Sequence, residues 1–127
     1  MKRLRVLVAD DDPMIREALR DVLTAQPDLD VVATAKDTDE AIALAELHTP
    51  TVVVLDVRMP GGGGARAARE IAPRSPGTRF LAFSAYADAG VIAEMKTVGV
   101  TDYLLKGVTN AELVAAVRRL GAPTDQA

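Results

Sequence analysis

The sequence predicts a doubly wound α/β fold built on a five-stranded parallel sheet. Apolar runs alternate with helical patterns five times along the 127 residues, as expected for a (βα)5 chain. The longer runs lack period-2 alternation, which is typical of strands buried on both faces. Strands that alternate with helices imply right-handed crossovers, with helices covering both faces of one sheet. We expect the strand order 2-1-3-4-5.

The predicted strands are the five predominantly apolar runs of the chain. Three of them end directly before an acidic or hydroxyl side chain, so their ends are clearly marked. The runs comprise residues 5–9 (RVLVA), 30–35 (DVVATA), 51–55 (TVVVL), 79–83 (RFLAF) and 102–105 (DYLL).

Helix starts are marked by capping residues. Asp12-Pro13 supplies an N-cap and a first-turn proline for the first helix. Asp37 to Glu40 and Thr109 to Glu112 have the spacing of a capping box, which predicts the starts of the second and fifth helices. Apolar residues at helical spacing then mark the buried faces: Ile15, Ala18, Leu19, Val22 and Leu23; Ala41, Leu44 and Ala45; Ile92, Met95 and Val98; Leu113, Ala116, Val117 and Leu120.

A run of four glycines, residues 61–64, precedes the third helix, which we expect from about Gly64 to Ile71. Each glycine inside a helix costs about 1 kcal/mol relative to alanine. We therefore predict a weak third helix and a mobile loop before it. No Lys-Ser or Lys-Thr pair follows the run, so it is not a nucleotide-binding loop.

Composition excludes several classes of function. The chain has no cysteine, which excludes disulfides and thiolate metal sites, and its one histidine, His48, excludes a two-histidine metal site. The net charge of −3 gives no electrostatic footprint for DNA. No apolar stretch is long enough to span a membrane, and the basic start leads into aspartates without a signal-peptide cleavage site. We expect a cytoplasmic protein.

The length predicts one domain, residues 1–120. Residues 121–127 (GAPTDQA) have the composition of a linker, so we expect a tail here and no effector domain within this chain.

Polar side chains stand where the predicted strands end. Asp10 and Asp11 follow the first strand, Asp56 the third, Ser84 the fourth and Lys106 the fifth. In an open α/β sheet, sites form outside the carboxyl ends of the strands, at the point where the strand order reverses. For the expected order this point lies between strands one and three, which brings the strand-one acids beside Asp56.

Carboxylates gathered in one crevice must bind protons or a cation. Oxygen ligands alone suit a hard divalent ion, Mg²⁺ or Mn²⁺. A carboxylate beside such an ion can attack phosphorus, while Lys106 compensates charge and Ser84 donates to a phosphoryl oxygen. For Asp12, helix capping alone is a sufficient explanation. Three candidate residues also have purely structural interpretations. Lys106 is then a solvated lysine, Ser84 an ordinary turn serine and Tyr103 a core aromatic.

Four segments together resemble the receiver domain of bacterial two-component response regulators, which has a flavodoxin-like and CheY-like fold. The resemblance covers about residues 4–120. It implies that Asp56 accepts a phosphoryl group, that Asp11 binds Mg²⁺ directly with help from Asp10, and that Arg58 contributes its backbone carbonyl. The segments are residues 8–13 (VADDDP), 55–60 (LDVRMP), 83–86 (FSAY) and 99–107 (GVTDYLLKG).

The same resemblance implies the remaining roles and the partners. Ser84 and Lys106 would contact phosphoryl oxygens, and Tyr103 would be the switch aromatic that changes rotamer as Ser84 moves. The donor would be a sensor histidine kinase, and the domain would be a regulator that catalyses only its own phosphorylation and dephosphorylation. The segments look most like the NarL/FixJ subfamily, which implies dimerisation and DNA binding through a C-terminal helix-turn-helix.

Three other functions share parts of this pattern. A pseudo-receiver would keep the fold without phosphorylation. A flavodoxin-like electron carrier would share the topology, but a flavin favours stacking aromatics and the chain has no tryptophan. A phosphatase with an aspartyl intermediate commonly has a second acid two residues after the nucleophile, where this chain has Arg58.

Overall fold

The computed structural model describes residues 3–86, 88–100 and 102–122. Strands and helices alternate through these residues, as the sequence predicts. The elements are β1 (Leu4–Ala9), α1 (Pro13–Thr24), β2 (Leu29–Ala35), α2 (Thr38–His48), β3 (Val52–Asp56), α3 (Gly63–Arg74), β4 (Arg79–Ser84), α4 (Ala89–Thr97), β5 (Asp102–Leu105) and α5 (Asn110–Gly121).

The five strands form one parallel sheet in the order β2-β1-β3-β4-β5, which confirms the predicted order. Ala9 at the end of β1 pairs with Leu55 of β3. The next residues along these two strands are Asp10 and Asp56, so the register alone brings two carboxylates side by side. At the other side of the crevice, Ser84 pairs with Leu105, the residue before Lys106.

Alternate residues of the central strands supply two separate cores. Leu7 and Val53 point to the face covered by α2, α3 and α4. Val6 and Val52 point to the opposite face, covered by α1 and α5. Because both faces are buried, no polar alternation appears in these strands, which is the pattern that predicted a parallel sheet. Among the described residues no helix has the length and apolarity to cross a membrane.

Side-chain caps hold the helix starts. Asp12 caps α1 by accepting from the backbone N–H groups of Met14 and Ile15. Asp37 accepts from Glu40 N–H at α2, and Thr109 accepts from Glu112 N–H at α5. These three starts are confirmed.

Element ends differ from the predicted ones by one to three residues. Strands β3 and β4 each end one residue later than predicted, so Asp56 and Ser84 are the last residues of their strands. Helix α3 continues beyond Ile71 to Arg74. Helix α5 ends at Gly121, the first residue of the predicted tail, and residues 123–127 lie outside the described residues.

The glycine run has a structural requirement that the sequence analysis did not foresee. Gly61, Gly62 and Gly63 have φ values of 93°, 112° and 78°, a region that residues with a side chain rarely adopt. A Cβ on Gly64 would lie 2.7 Å from the backbone oxygen of Asp56. The run therefore lets α3 begin directly against the end of β3. The mobility predicted for this loop stays a prediction.

Replacing Gly64 by alanine tests this close approach. We expect Gly64→Ala to lower the free energy of unfolding by about 1–3 kcal/mol, because the added methyl group displaces backbone. Gly77→Ala is the matched control, since a Cβ there meets nothing within 4 Å. Urea denaturation measures both variants. Equal stability of the two would contradict the required close approach.

Candidate functional site

Three carboxylates converge at the carboxyl ends of β1 and β3. One oxygen from each of Asp10, Asp11 and Asp56 lies within 4.8 Å of the others. Asp10 is fully buried, Asp56 is 5% exposed, and Asp11 is open to solvent. The structure thus brings together the three acids that the sequence analysis placed in one crevice.

Lys106 enters the same crevice from the end of β5. Its Nζ lies 3.0 Å from Asp10 Oδ2 and 3.4 Å from Asp56 Oδ1. Its backbone N–H donates to the carbonyl oxygen of Ser84, which fixes the start of the loop after β5 against β4. One ammonium group therefore faces two buried carboxylates.

The two oxygens of Asp10 differ in their surroundings. Oδ1 accepts from the N–H of Asp12 at 2.9 Å, and Arg16 donates to the backbone oxygen of Asp10 at 2.8 Å. Oδ2 is buried and is paired with the Lys106 ammonium at 3.0 Å. This oxygen and an all-oxygen donor set fit a hard divalent cation such as Mg²⁺ or Mn²⁺.

The ionisation of Asp56 reflects the crowding of charge. Burial, followed by the negative charge of Asp10, raises the pKa of Asp56 to about 7, although Lys106 and the N–H of Arg58 act in the opposite direction. For Lys106, burial lowers the pKa, but the carboxylates of Asp10 and Asp56 outweigh burial and leave the pKa above its ordinary value. The lysine stays protonated and the acid cluster favours a bound cation or proton.

Ser84 and Tyr103 lie on adjacent strands and are linked through Tyr86. Ser84 is 5% exposed, and its Oγ accepts from Tyr86 N–H at 3.3 Å. The hydroxyl of Tyr103 donates to the backbone oxygen of Tyr86 at 2.8 Å. The segment after β4 is therefore held by both residues to which the sequence analysis assigns a switch.

Arg58 lies beside this segment on the loop after β3. Its side chain is exposed, with the guanidinium carbon 5.6 Å from the centre of the Tyr86 ring. Its backbone N–H donates to Asp56 Oδ1 at 3.3 Å. The placement of Arg58 and the acids is thus established, whereas the catalytic, metal-binding and switch roles of all these residues stay predictions. Thr101, within the fourth motif, lies outside the described residues.

The crevice opens into a cleft of about 450 Å³. Its lining includes Asp11, the backbone of the loop after β3, and two of the glycines: the set is Asp11, Val57, Arg58, Met59, Pro60, Gly62 and Gly63. Asp11 therefore lies at a cleft that the glycine run borders.

Two residues that contact this loop escaped the sequence analysis. Thr38 donates to Pro60 and Gly63 carbonyl oxygens, and Arg66 donates to that of Gly61. The helical i,i+4 spacing of Arg66 and Glu70 signals their ion pair. Nothing in the sequence signals the contacts with the loop, because they join residues on different elements.

A known protein family has the arrangement of residues described above. Residues 6–118 match the family described as the response regulator receiver domain. The chain belongs to this family. The match covers all five acid, hydroxyl and lysine positions of the crevice, so the family identified by resemblance is confirmed.

Relatives of this receiver domain include transcriptional regulators. The chain is 35% identical over 119 residues to the DNA-binding transcriptional activator DevR/DosR of Mycobacterium tuberculosis, covering 94% of this chain and 55% of the relative. It is 36% identical to the transcriptional regulatory protein YxjL of Bacillus subtilis, covering 91% and 53%. The receiver domain thus spans about half the length of the curated relatives it matches.

A solved structure agrees with this fold. The signal receiver domain of NarL from Mycobacterium tuberculosis superimposes with a TM-score of 0.91 at 34% sequence identity, covering 95% of this chain and 98% of that domain. A response regulator of the LuxR family from Aurantimonas gives a TM-score of 0.87 at 32% identity, covering 94% and 86%.

The raised pKa of Asp56 gives a prediction for stability in metal-free buffer. A carboxyl whose pKa is higher in the folded than in the unfolded chain favours folding at low pH, and this contribution is lost as pH rises. We expect the contribution of Asp56 to the free energy of unfolding to fall by at most about 4 kcal/mol between pH 4 and 8. Asp56→Asn removes this loss. Chemical denaturation in EDTA at several pH values measures the free energy of unfolding of Asp56→Asn and of the unmodified protein.

Asp30→Asn serves as the control, because this residue lies on the edge strand β2, away from the crevice. It should keep the pH profile of the unmodified protein. Identical pH profiles for Asp56→Asn and the unmodified protein would contradict the raised pKa.

Proposed function

We propose that this receiver domain accepts a phosphoryl group on Asp56 from the phosphohistidine of a sensor histidine kinase. The observation that carries the proposal is the convergence of Asp10, Asp11 and Asp56 with Lys106 at the carboxyl edge of the sheet. Helix capping accounts for Asp12, and single backbone contacts engage Asp10 Oδ1 and Asp56 Oδ1, but none of these contacts accounts for the gathering of all four groups.

The metal ligands in this proposal are the carboxylates of Asp10, Asp11 and Asp56 and the backbone carbonyl of Arg58. When bound, Mg²⁺ or Mn²⁺ offsets the charge of these carboxylates and of the incoming phosphoryl oxygens. The convergence of three carboxylates, with one lysine to balance their charge, supports the assignment.

The proposed reaction requires little from the protein beyond position and charge. An oxygen of the Asp56 carboxylate attacks phosphorus, the N–P bond of the phosphohistidine breaks, and its electron pair leaves on the imidazole. The Lys106 ammonium, already 3.4 Å from Asp56, offsets charge on the phosphoryl oxygens. The hydroxyl of Ser84 donates a hydrogen bond to one of them. Hydrolysis of the aspartyl phosphate returns Asp56 to its carboxylate.

The proposed output is a shift between two conformations of the segment after β4. Drawing Ser84 toward a phosphoryl group breaks its contact with Tyr86 N–H, and Tyr86 is also the acceptor for Tyr103. A change at Ser84 therefore reaches Tyr103 on β5 through one shared residue. A phosphoryl group on Asp56 shifts the equilibrium between the two conformations by the difference between its interaction free energies with them.

The wider context belongs to the same proposal. In this proposal residues 1–120 are the regulatory domain and residues 121–127 are a linker-like tail. The chain spans about half the length of the curated relatives, which are named as transcriptional regulators. We therefore propose a cytoplasmic regulator that acts through dimerisation and through a C-terminal helix-turn-helix, and not as a metabolic enzyme.

Acetyl phosphate tests the phosphorylation directly. We expect intact-protein mass spectrometry to show the gain of one phosphoryl group in the presence of Mg²⁺ and no gain in EDTA. Asp56→Asn should abolish the gain, and Lys106→Ala should slow it at least about 100-fold, since Lys106 is the cation nearest the reacting group. Asp12→Asn, the capping acid, is the matched control and should react normally. Modification of Asp56→Asn would contradict the assignment.

Thermal unfolding tests the metal site without any phosphodonor. Saturating Mg²⁺ should raise the melting temperature, because the acids converge only in the folded chain. Asp11→Asn should reduce this rise, while Asp12→Asn should keep it. A melting temperature that does not respond to Mg²⁺ would show that the carboxylates do not form a metal site.

A further inference from the structure

Two residues outside the four-glycine run after β3, Thr38 and Arg66, donate hydrogen bonds to this run and to Pro60. Thr38 donates its backbone N–H to Pro60 O at 3.0 Å and its hydroxyl to Gly63 O at 3.2 Å. Arg66 Nη1 donates to Gly61 O at 2.6 Å. These three contacts engage the carbonyl groups of Pro60, Gly61 and Gly63.

Both fastening residues are themselves firmly held. Thr38 is fully buried at the first turn of α2. Arg66 forms ion pairs with Asp39 of α2 at 2.9 Å and with Glu70 of α3 at 2.6 Å. The planar guanidinium presents several donors in a fixed geometry, so one side chain joins α2, α3 and the loop. We call Thr38 and Arg66 the loop clamp.

The glycine run needs such a clamp because its backbone has the most freedom to lose on folding. It also lies against the site. A Cβ on Gly64 would lie 2.7 Å from Asp56 O, and one on Gly63 would lie 2.8 Å from Val57 O. Gly62 and Gly63 line the cleft that contains Asp11 and Arg58. Any displacement of the run therefore changes the backbone around Asp56 and Arg58.

We propose that Thr38 and Arg66 are positioning residues for the metal site, which set the affinity for Mg²⁺ by holding the glycine run against the end of β3. The inference rests on the proposed function, because only there does the Arg58 carbonyl serve as a ligand. The clamp acts through the loop and contacts no reacting atom.

Coulomb forces and positioning predict opposite signs for the loss of Arg66. Removing a positive charge from the protein strengthens the binding of a cation. Removing a support of the ligand geometry weakens that binding, typically by about 10–100-fold for groups that contact ligands. Thr38→Val changes no charge and nearly preserves shape, so it tests the clamp without the Coulomb contribution.

The experiment is a Mg²⁺ titration followed by backbone amide chemical shifts. We expect Arg66→Ala to weaken Mg²⁺ binding by about 10-fold and Thr38→Val to weaken it by a similar factor. Arg118→Ala is the matched control: it removes another ion-paired arginine, bound to Asp28 at 2.8 Å, and should bind Mg²⁺ normally. Circular dichroism verifies that each variant is folded. Binding by Arg66→Ala and Thr38→Val as tight as in the unmodified protein would overturn the proposal.

Phosphorylation by acetyl phosphate at varied Mg²⁺ separates this proposal from the previous one. The clamp variants should need more Mg²⁺ for half-maximal rate and reach the unmodified maximal rate at saturation. A lower maximal rate with an unchanged Mg²⁺ midpoint would overturn the clamp. If the unmodified protein binds Mg²⁺ but is not phosphorylated, the proposed function fails. Weaker Mg²⁺ binding by the Thr38 and Arg66 variants than by the unmodified protein then still supports the clamp. If it does not bind Mg²⁺, both proposals fail.

Discussion

Mutual repulsion of carboxylates at the end of two neighbouring strands is the constraint on which the structure of this receiver domain depends. Two unit charges 4 Å apart repel by about 4 kcal/mol near a protein surface. Asp10 and Asp56 are buried beside each other because the register of β1 and β3 allows no other placement. Lys106 balances one charge, so the crevice keeps an excess of negative charge and favours a proton or a cation.

The aliphatic core holds the strands together despite the repulsion between these carboxylates. Central strand residues such as Val53 and Val54 are fully buried on opposite faces, between two helical layers. Closely packed protein interiors resist small displacements. The strand ends therefore stay together despite the repulsion, and burial, followed by the charge of Asp10, raises the pKa of Asp56.

Fold and acid cluster were predictable because they follow from local patterns. Apolar runs and helix caps placed the elements to within a few residues, and the strand order then brought Asp10 and Asp56 together. The glycine run was harder, since its requirement comes from positive φ values and from the approach of Gly64 to Asp56 O. Arg66 was missed because its contacts with Asp39 and Gly61 exist only once α2 and α3 are packed.

The chain has two tyrosines and no tryptophan. The two are joined through the hydrogen bond from the Tyr103 hydroxyl to Tyr86 O, and the ring of Tyr86 lies beneath the cationic group of Arg58. Tyrosine fluorescence from this protein therefore arises only next to the crevice. The domain contains its own optical reporter, and no label needs to be attached to follow rearrangement there in real time.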